Sequence, residues 1–166
     1  GPRATAMSAA LLTLDDFEAR ARELMERGAY DYYAGGSGDE LTLRANREAF
    51  DALWLRPRVL IDVSKPDPAL TLFGDTLSLP VLLAPAAFHR LAHAEGELAV
   101  ARAAAAAGAA MVVSTLSTCT LEDVAAAAGG TRWFQLYAYR DRALSESMIR
   151  RAEAAGYRAL VLTADT

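Results

Sequence analysis

The sequence predicts an α/β fold, the N-terminal half of a TIM (β/α)8 barrel preceded by a helical segment and a β-hairpin. After Pro80, four short apolar runs alternate with helical stretches, at strand-to-strand spacings of roughly 22 to 30 residues that are typical of βα units. The runs are continuously aliphatic or β-branched, as in parallel strands that are buried on both faces. Polar residues stand at the ends of these runs, which is where a barrel places its chemistry. The predicted strands are residues 81–85, 109–115, 133–137 and 159–165.

A doubly wound sheet uses the same alternation of strands and helices. When such a sheet binds a dinucleotide, it carries G-x-G-x-x-G after its first strand. The corresponding turn here reads APAAFHRLAH and has no glycine until Gly96, which favours the barrel. With four of eight strands present, the two edge strands are expected to expose apolar faces. A further segment, a second chain or a second copy of this chain would have to cover them.

Each element before and after Pro80 has its own signal. Thr13 and Asp16 match a capping box at the start of a first helix, which is expected to end at Gly28. A helical turn at AYDYY and a helix at about residues 40–53 follow, and TLFGDTLSL predicts a hairpin that turns at Gly74 and Asp75. Between the barrel strands, helices are predicted at about residues 95–107, 121–128 and 141–155.

These elements divide the chain into three parts. Residues 1–7, GPRATAM, resemble an expression-tag remnant. Residues 8–79 form the N-terminal helices and the hairpin. Residues 80–166 form the first four strands and three helices of the barrel.

Composition excludes several classes of protein. Hydrophobic residues make up 53% of the chain and charged residues 23%, which is typical of a globular protein. The net charge is −4, with 17 basic and 21 acidic residues, so no nucleic-acid partner is expected. Cys119 is the single cysteine and is predicted to be a buried thiol, and neither His89 nor His93 has a partner at metal-ligand spacing. No signal peptide or membrane-spanning run is recognisable, which predicts a cytoplasmic protein.

The polar residues at the strand ends are the candidate functional groups. Gln135 and Tyr137 lie on the third predicted strand, and Thr163 and Asp165 lie on the fourth. A buried polar group without a partner costs roughly 1–3 kcal/mol, so each is expected to face a partner or a ligand. Asp165 could instead cap a following helix, and Tyr137 could be a core tyrosine with a satisfied hydroxyl.

Seven stretches, taken in order, resemble the FMN-dependent 2-hydroxy-acid oxidases and dehydrogenases, the family of glycolate, lactate and hydroxymandelate oxidases. The resemblance covers residues 11–166, a little under half of a usual member. It is carried by YDYYAGGSGDE with ANREAF and RPRVLIDV, by APAAFHRLAHAEGE, by STLSTCTLEDVA, by WFQLY and by LTADT.

The resemblance implies FMN as the cofactor and assigns cofactor-binding positions. Ala86 and Ala87 match the backbone that approaches the flavin ring. Ser114, Gln135 and Thr163 match the side chains that hydrogen-bond the polar edge of the isoalloxazine. These residue types suit such an edge, which offers nitrogen and oxygen groups.

The resemblance also assigns substrate-binding and catalytic positions. Tyr32 matches the tyrosine that binds the substrate carboxylate, and Tyr137 matches the one that contacts the substrate hydroxyl. Asp165 matches the aspartate that orients the catalytic histidine and stabilises its protonated form. The implied reaction is oxidation of an (S)-2-hydroxy acid to the 2-oxo acid with hydride transfer to flavin N5, and oxygen as the expected oxidant of the reduced flavin.

The family places its flavin lysine, histidine base and carboxylate-binding arginine after the fourth strand, so this chain alone is expected to be inactive. Its implied partners are a small 2-hydroxy acid, the missing C-terminal half of the barrel and further copies in a tetramer. Leu116 stands where some family members carry an aromatic residue, which favours a mandelate-like substrate over lactate or glycolate. Two alternatives remain: a non-catalytic half-barrel assembly module and a phosphate-binding barrel without flavin.

Overall fold

The computed structural model describes residues 11–165 and divides the chain into two compact units, one ending at Arg56 and the other beginning at Pro57. The predicted tag remnant at residues 1–7 lies outside the described residues. The division predicted after residue 79 remains a proposal. Because the two units are separate bodies, each is described by itself.

The first unit contains three helices, α1 (Leu14–Leu24), α2 (Arg27–Ala34) and α3 (Leu41–Asp51). The predicted capping box at Thr13 and Asp16 is confirmed, since each side chain accepts from the other residue's backbone N–H. The predicted end of the first helix at Gly28 is wrong. The carboxylate of Glu26 accepts from the backbone N–H of Ala29 and caps a new helix there, so Gly28 lies in the first turn of α2.

The second unit contains the hairpin and a parallel sheet. The hairpin pairs β1 (Leu70–Leu72) with β2 (Asp75–Leu77), as predicted, but it turns at residues 73–74, one residue earlier than predicted, because Asp75 pairs with Leu72. The sheet has the order β3-β4-β5-β6, and all three strand pairs are parallel. Its elements are β3 (Leu82–Leu83), a 3-10 turn (His89–Leu91), α4 (Gly96–Ala107), β4 (Ala110–Val113), α5 (Leu121–Ala127), β5 (Arg132–Tyr137), α6 (Arg142–Ala154) and β6 (Ala159–Thr163). The predicted alternation of parallel strands and helices is confirmed.

The core lies between the sheet and its helices. Phe134 and Leu136 of β5 point into an apolar cluster that includes helix residues such as Ala101, Val124 and Ala152. Since successive strand residues point to opposite faces, Trp133, Gln135 and Tyr137 lie on the other face of the sheet.

The hairpin contacts the amino-terminal end of the sheet. Phe73, in the turn, makes an edge-to-face contact with Trp133 at 5.3 Å between ring centroids. The backbone N–H of Ser78 donates to Gly108 O at 2.9 Å, just before β4 begins. Gly108 has φ +65°, and a Cβ there would lie 2.3 Å from Ser78 Oγ, so glycine is required for this close approach. The hairpin therefore contacts the end of the sheet opposite to the carboxyl ends of the strands, where the candidate functional residues lie.

The two edge strands, β3 and β6, each pair with one neighbour among the described residues. On β6, Leu160 and Leu162 are 45% and 63% exposed, although they are in register with the buried Phe134 and Leu136 of β5. The expected exposed apolar face is thus present at this edge. Within residues 11–165, no helix has the length and apolarity needed to cross a membrane.

Candidate active site

Three polar side chains meet at the carboxyl ends of β4, β5 and β6. Ser114 follows β4 directly, Gln135 lies within β5, and Thr163 is the last residue of β6. Gln135 is only 2% exposed and Ser114 is also buried, whereas Thr163 is partly open to solvent. Parallel pairing brings these positions together because the carboxyl ends of all the strands lie at one edge.

Hydrogen bonds fix the orientation of the Gln135 amide. Its Oε1 accepts from the backbone N–H of Thr115 at 3.0 Å and from the Ser114 hydroxyl at a longer 3.4 Å. Its Nε2 donates to Thr163 Oγ1 at 2.8 Å. The Ser114 hydroxyl also accepts from Leu116 N at 3.1 Å, so it has both a donor and an acceptor role.

Thr115 extends the pairing of β4 and β5 beyond the last strand residue of β4. Its hydroxyl donates to Gln135 O at 2.6 Å and accepts from Tyr137 N at 3.1 Å. A threonine side chain thus substitutes for a backbone partner and connects β5, as far as Tyr137, to the chain after β4. Short hydroxyl side chains can do this because they carry both a donor and an acceptor.

Tyr137 and Asp165 also lie at the carboxyl ends of the strands, Tyr137 as the last residue of β5 and Asp165 after β6. Tyr137 is partly buried and is in register with Thr163 of the neighbouring strand. Asp165 follows β6 by two residues and is exposed. It therefore does not contribute to the buried polar cluster, and its carboxylate is accessible to a group from outside the described chain.

Ala86 and Ala87 lie in the loop that follows β3. Ala86 is exposed and Ala87 is partly buried. The loop is joined to the loop after β4 by a hydrogen bond from Phe88 N to Leu116 O at 3.0 Å. Phe88 has φ +58°, an uncommon conformation for a residue with a side chain, and it turns the chain into the 3-10 segment.

A buried carboxylate joins the same two loops. Glu97, in the first turn of α4, accepts from the backbone N–H groups of Thr118 and His89 and from the Thr118 hydroxyl. Burial of Glu97 by itself would raise its pKa. Hydrogen bonds from the hydroxyl and N–H of Thr118, with further ones from the Glu97 backbone and the Cys119 thiol, outweigh burial and lower the pKa to about 2. The pKa of the neighbouring Cys119 thiol is raised by burial and by its hydrogen bond to Glu97, so this cysteine is held as a thiol.

Tyr32 belongs to the first unit, on α2. It is 54% exposed and packs edge-to-face against Tyr33 with 5.1 Å between ring centroids. Its assigned role at the substrate carboxylate remains a prediction.

The structure thus brings together Ser114, Gln135 and Thr163, and places Tyr137 beside them. Sequence reasoning did not assign a role to Thr115, although it stands next to Ser114 in the same polar strand end. It also missed Glu97, because a glutamate in a first helical turn is expected to be a solvated residue that favours the helix dipole.

Comparison with known proteins identifies the family. A family model described as FMN-dependent dehydrogenase matches residues 21–166. The chain belongs to this family.

Curated relatives of the chain are 2-hydroxy-acid oxidases by name. Glycolate oxidase 1 of Zea mays is 50% identical over 151 residues, which are 91% of this chain and 41% of that relative. An L-lactate oxidase of Nostoc sp. is 49% identical over 158 residues, which are 93% of this chain and 43% of that relative. The chain therefore spans less than half the length of these relatives.

Solved structures similar to the chain include mandelate oxidases. One, with 3,3-difluoro-2-hydroxy-3-phenylpropionic acid, has a TM-score of 0.89 at 46% identity, and the match covers 92% of this chain and 46% of the mandelate oxidase chain. Another is a mandelate oxidase variant with an FMN adduct. It has a TM-score of 0.88 at 45% identity, and the match covers 91% of this chain and 46% of the variant's chain. The expected membership of an FMN-dependent family is confirmed.

The donor set at the sheet edge fits FMN. The edge of a flavin ring offers nitrogen and oxygen groups, and the Thr163 hydroxyl, which accepts from Gln135 Nε2, keeps its own proton to donate to such a group. The Gln135 amide nitrogen carries a second N–H beside it at the adjacent strand end. Ala86 and Ala87 lie in the loop that follows β3, the strand next to β4, and a hydrogen bond from Phe88 N to Leu116 O joins that loop to the loop after β4.

Proposed function

We propose that this chain provides part of the active site of an FMN-dependent oxidase that converts an (S)-2-hydroxy acid to the 2-oxo acid. The observation that carries the proposal is the hydrogen-bonded group of Ser114, Gln135 and Thr163 at the carboxyl ends of three adjacent parallel strands. Membership of the family and the names of its relatives agree with it.

The cofactor site would be formed by the strand ends and the loop after β3. Gln135 Oε1 is occupied by Thr115 N–H, and its Nε2 donates to Thr163. The Thr163 hydroxyl accepts from Gln135 and keeps its own proton to donate, so it suits a ring oxygen or nitrogen. Ala86 and Ala87 would supply backbone groups. When bound, FMN would accept the hydride from the substrate and pass electrons to oxygen.

The substrate would lie beyond Thr163, next to Tyr137. In our proposal the Tyr137 hydroxyl contacts the substrate hydroxyl, and Tyr32 binds the substrate carboxylate. Oxidation of the alcohol requires a base for its hydroxyl proton. We assign Asp165 to orient a histidine that is that base and to stabilise its protonated form, as a carboxylate does in a catalytic triad.

We assign the four parallel strands to the first half of a (β/α)8 barrel. The exposed Leu160 and Leu162 on β6 agree with this, since burial of each leucine would contribute roughly 1.5–3 kcal/mol. The C-terminal half would then cover this face and supply the histidine, the arginine and the lysine. The assembled protein would be a homo-oligomer, a tetramer as in the family, and this chain alone would be inactive.

We favour a mandelate-like substrate over lactate or glycolate. Leu116 is 37% exposed, and its backbone oxygen accepts from Phe88 N, so the backbone at Leu116 lies against the loop that carries Ala86 and Ala87. A leucine there leaves more room than an aromatic ring would, and a larger pocket suits an aryl 2-hydroxy acid.

The test has two stages. Titration of the purified chain with FMN, followed by quenching of flavin fluorescence, tests the cofactor site. Anaerobic reduction of bound FMN is then measured with (S)-mandelate, lactate and glycolate, both for residues 1–166 and for a protein extended to the length of the relatives. We expect reduction only in the extended protein, and fastest with (S)-mandelate.

Each alternative gives a different result. An assembly module would form a colourless oligomer that binds no FMN in either form. A phosphate-binding barrel without flavin would bind inorganic phosphate or a sugar phosphate and would leave FMN unreduced.

A further inference from the structure

Glu97 is buried to an extent that is rare for a charged residue, with 1% of its surface exposed. Its Oε1 accepts from Thr118 N at 2.8 Å and from His89 N at 3.2 Å. Its Oε2 accepts from the Thr118 hydroxyl at 2.5 Å. Both carboxylate oxygens are therefore used, by donors from two different loops.

These hydrogen bonds connect three segments of the chain. Glu97 is on α4, His89 begins the 3-10 segment after β3, and Thr118 lies in the loop after β4. The Thr118 hydroxyl also accepts from Arg90 N at 3.3 Å, which closes the link from the opposite side. None of these groups is part of the polar cluster at the strand ends.

Gly96 allows the close approach that this arrangement needs. It has φ +51°, and a Cβ at this position would lie 2.8 Å from Arg90 Cγ and 3.2 Å from Thr118 Oγ1. A side chain there would push the two loops apart. The backbone before Glu97 is thus shaped to bring its carboxylate between them.

A simpler explanation is that Glu97 serves only the helix dipole. An acidic residue in the first turn stabilises a helix while it remains in solvent, and Glu122 and Asp123 of α5 are examples of such residues. A helix-dipole role does not require burial or the use of both oxygens. Donors from two separate loops indicate a role in holding those loops.

We propose that Glu97 is a positioning residue that sets the distance between the loop carrying Ala86 and Ala87 and the loop that begins at Ser114. The inference rests on the proposed function, because these two loops would contact the flavin ring from adjacent strands. Removal of the charge is expected to loosen both loops and to weaken FMN binding, although Glu97 itself does not touch the cofactor.

The test compares Glu97→Gln with the matched variant Glu122→Gln. Glu122 is a carboxylate in the first turn of the next helix, exposed and paired with Arg151. Amide hydrogen exchange of both variants is measured without FMN, and FMN affinity is measured by fluorescence titration in the protein extended to the length of the relatives. We expect Glu97→Gln to speed exchange in residues 86–91 and 114–120 and to weaken FMN binding by about tenfold or more, with β5 unchanged. Glu122→Gln should alter neither property.

Several results would overturn the inference. One is that the amides of both loops exchange at the wild-type rate in Glu97→Gln. Another is that they exchange faster but that the variant binds FMN with the wild-type affinity. Faster exchange throughout the sheet would show a general structural role instead. If Glu97→Gln does not fold, Thr118→Val decides. It removes the hydroxyl that donates to Glu97 Oε2 and accepts from Arg90 N, while the Thr118 N–H still donates to Glu97, so it should give the same two effects at smaller size. Wild-type behaviour would refute the inference.

The failure of the proposed function gives a different pattern. If neither the wild-type chain nor the protein extended to the length of the relatives binds FMN but Glu97→Gln still loosens both loops, the link between the loops stands and the flavin site is refuted. The two ideas are therefore separated by the same experiment.

Discussion

The amide of Gln135 donates to the hydroxyl of Thr163 across 2.8 Å and so joins the carboxyl ends of β5 and β6. Because Gln135 Oε1 accepts from Thr115 N, the amide has a defined orientation. Thr163 is consequently an acceptor toward Gln135 and a donor toward any ligand at the strand ends. A buried amide that is satisfied in this way gives the site a fixed polarity before a cofactor binds.

Replacement of Thr163 by valine tests this polarity. Thr163→Val keeps the shape but removes the acceptor for Gln135 Nε2 and the donor toward the ligand. We expect FMN affinity to fall by about tenfold, which corresponds to the ~1.4 kcal/mol of one hydrogen bond. Thr163→Ser retains the hydroxyl and should bind FMN nearly as the wild type does. Equal affinities of the valine and serine variants in a fluorescence titration would contradict the proposed role.

Thr115 is expected to contribute to stability rather than to chemistry. Thr115→Val removes the hydrogen bonds to Gln135 O and from Tyr137 N, and leaves both backbone groups without this partner. We expect the free energy of unfolding, measured in urea, to fall by roughly 1–3 kcal/mol. Thr115→Ser retains both hydrogen bonds and is the matched control. A valine variant as stable as the serine variant would show that water replaces the hydroxyl.

The sequence predicted the parts of this molecule that depend on local pattern. The capping box at Thr13, the hairpin turn at Gly74 and the alternation of strands and helices all follow from residues close together in the chain. The end of the first helix was missed because the carboxylate of Glu26 starts a second helix before Gly28.

The site was predictable to a different degree. Polar residues on apolar strands identified Ser114, Gln135 and Thr163, because parallel strands bring their carboxyl ends together. Glu97 could not be identified, since its partners Thr118 and His89 are distant in sequence and a first-turn glutamate is common on exposed helices. Burial of a charged residue is a property of the packed structure and leaves no local pattern.

Tyr137→Phe tests the proposed contact with the substrate hydroxyl. Loss of the phenolic hydroxyl should slow reduction of bound FMN by (S)-mandelate by about 10- to 100-fold, or roughly 1.4–2.7 kcal/mol of transition-state stabilisation. FMN affinity should stay within a factor of about two, since the ring itself is kept. The rate is measured by anaerobic stopped flow in the protein extended to the length of the relatives. Tyr139→Phe, at a more exposed position just after β5, should react at the wild-type rate.

Acid should destabilise the second unit through Glu97. The pKa of this carboxyl is lowered from 4.5 to about 2 in the folded chain, so its stabilisation is complete above pH 4.5 and is lost as the pH falls toward 2. The expected loss is roughly 3 kcal/mol, and Glu97→Gln should not show it. The neighbouring Cys119 thiol, whose pKa is raised by burial and by its hydrogen bond to Glu97, stays protonated in this range.

The pKa of Glu122 is also lowered to about 2, by its hydrogen bonds with Arg151 and by its own backbone. Because Glu122 titrates in the same pH range as Glu97, the experiment includes Glu122→Gln as a control. Urea unfolding of wild type, Glu97→Gln and Glu122→Gln is compared at pH 5 and pH 2.5. The buffer contains 0.5 M salt, which screens the exposed pair of Glu122 and Arg151. Parallel acid sensitivity of wild type and Glu97→Gln would show that the buried carboxylate does not control it.

Alkali should destabilise the second unit through Tyr157. Burial raises the pKa of this phenol to about 12, the Arg132 cation opposes the increase, and the Tyr157 hydroxyl donates to Leu121 O at 3.0 Å. Because the folded pKa lies above the ordinary value of 10, the stabilisation is complete below pH 10 and is lost as the pH rises toward 12.

Tyr157→Phe should cost about 1 kcal/mol at pH 7 for the lost hydrogen bond and should remove this part of the alkaline dependence. Unfolding in urea at pH 7, 10 and 11.5 measures both effects, with Tyr139→Phe as the exposed control. A phenylalanine variant that loses stability with pH as steeply as the wild type would exclude Tyr157 as the group that titrates.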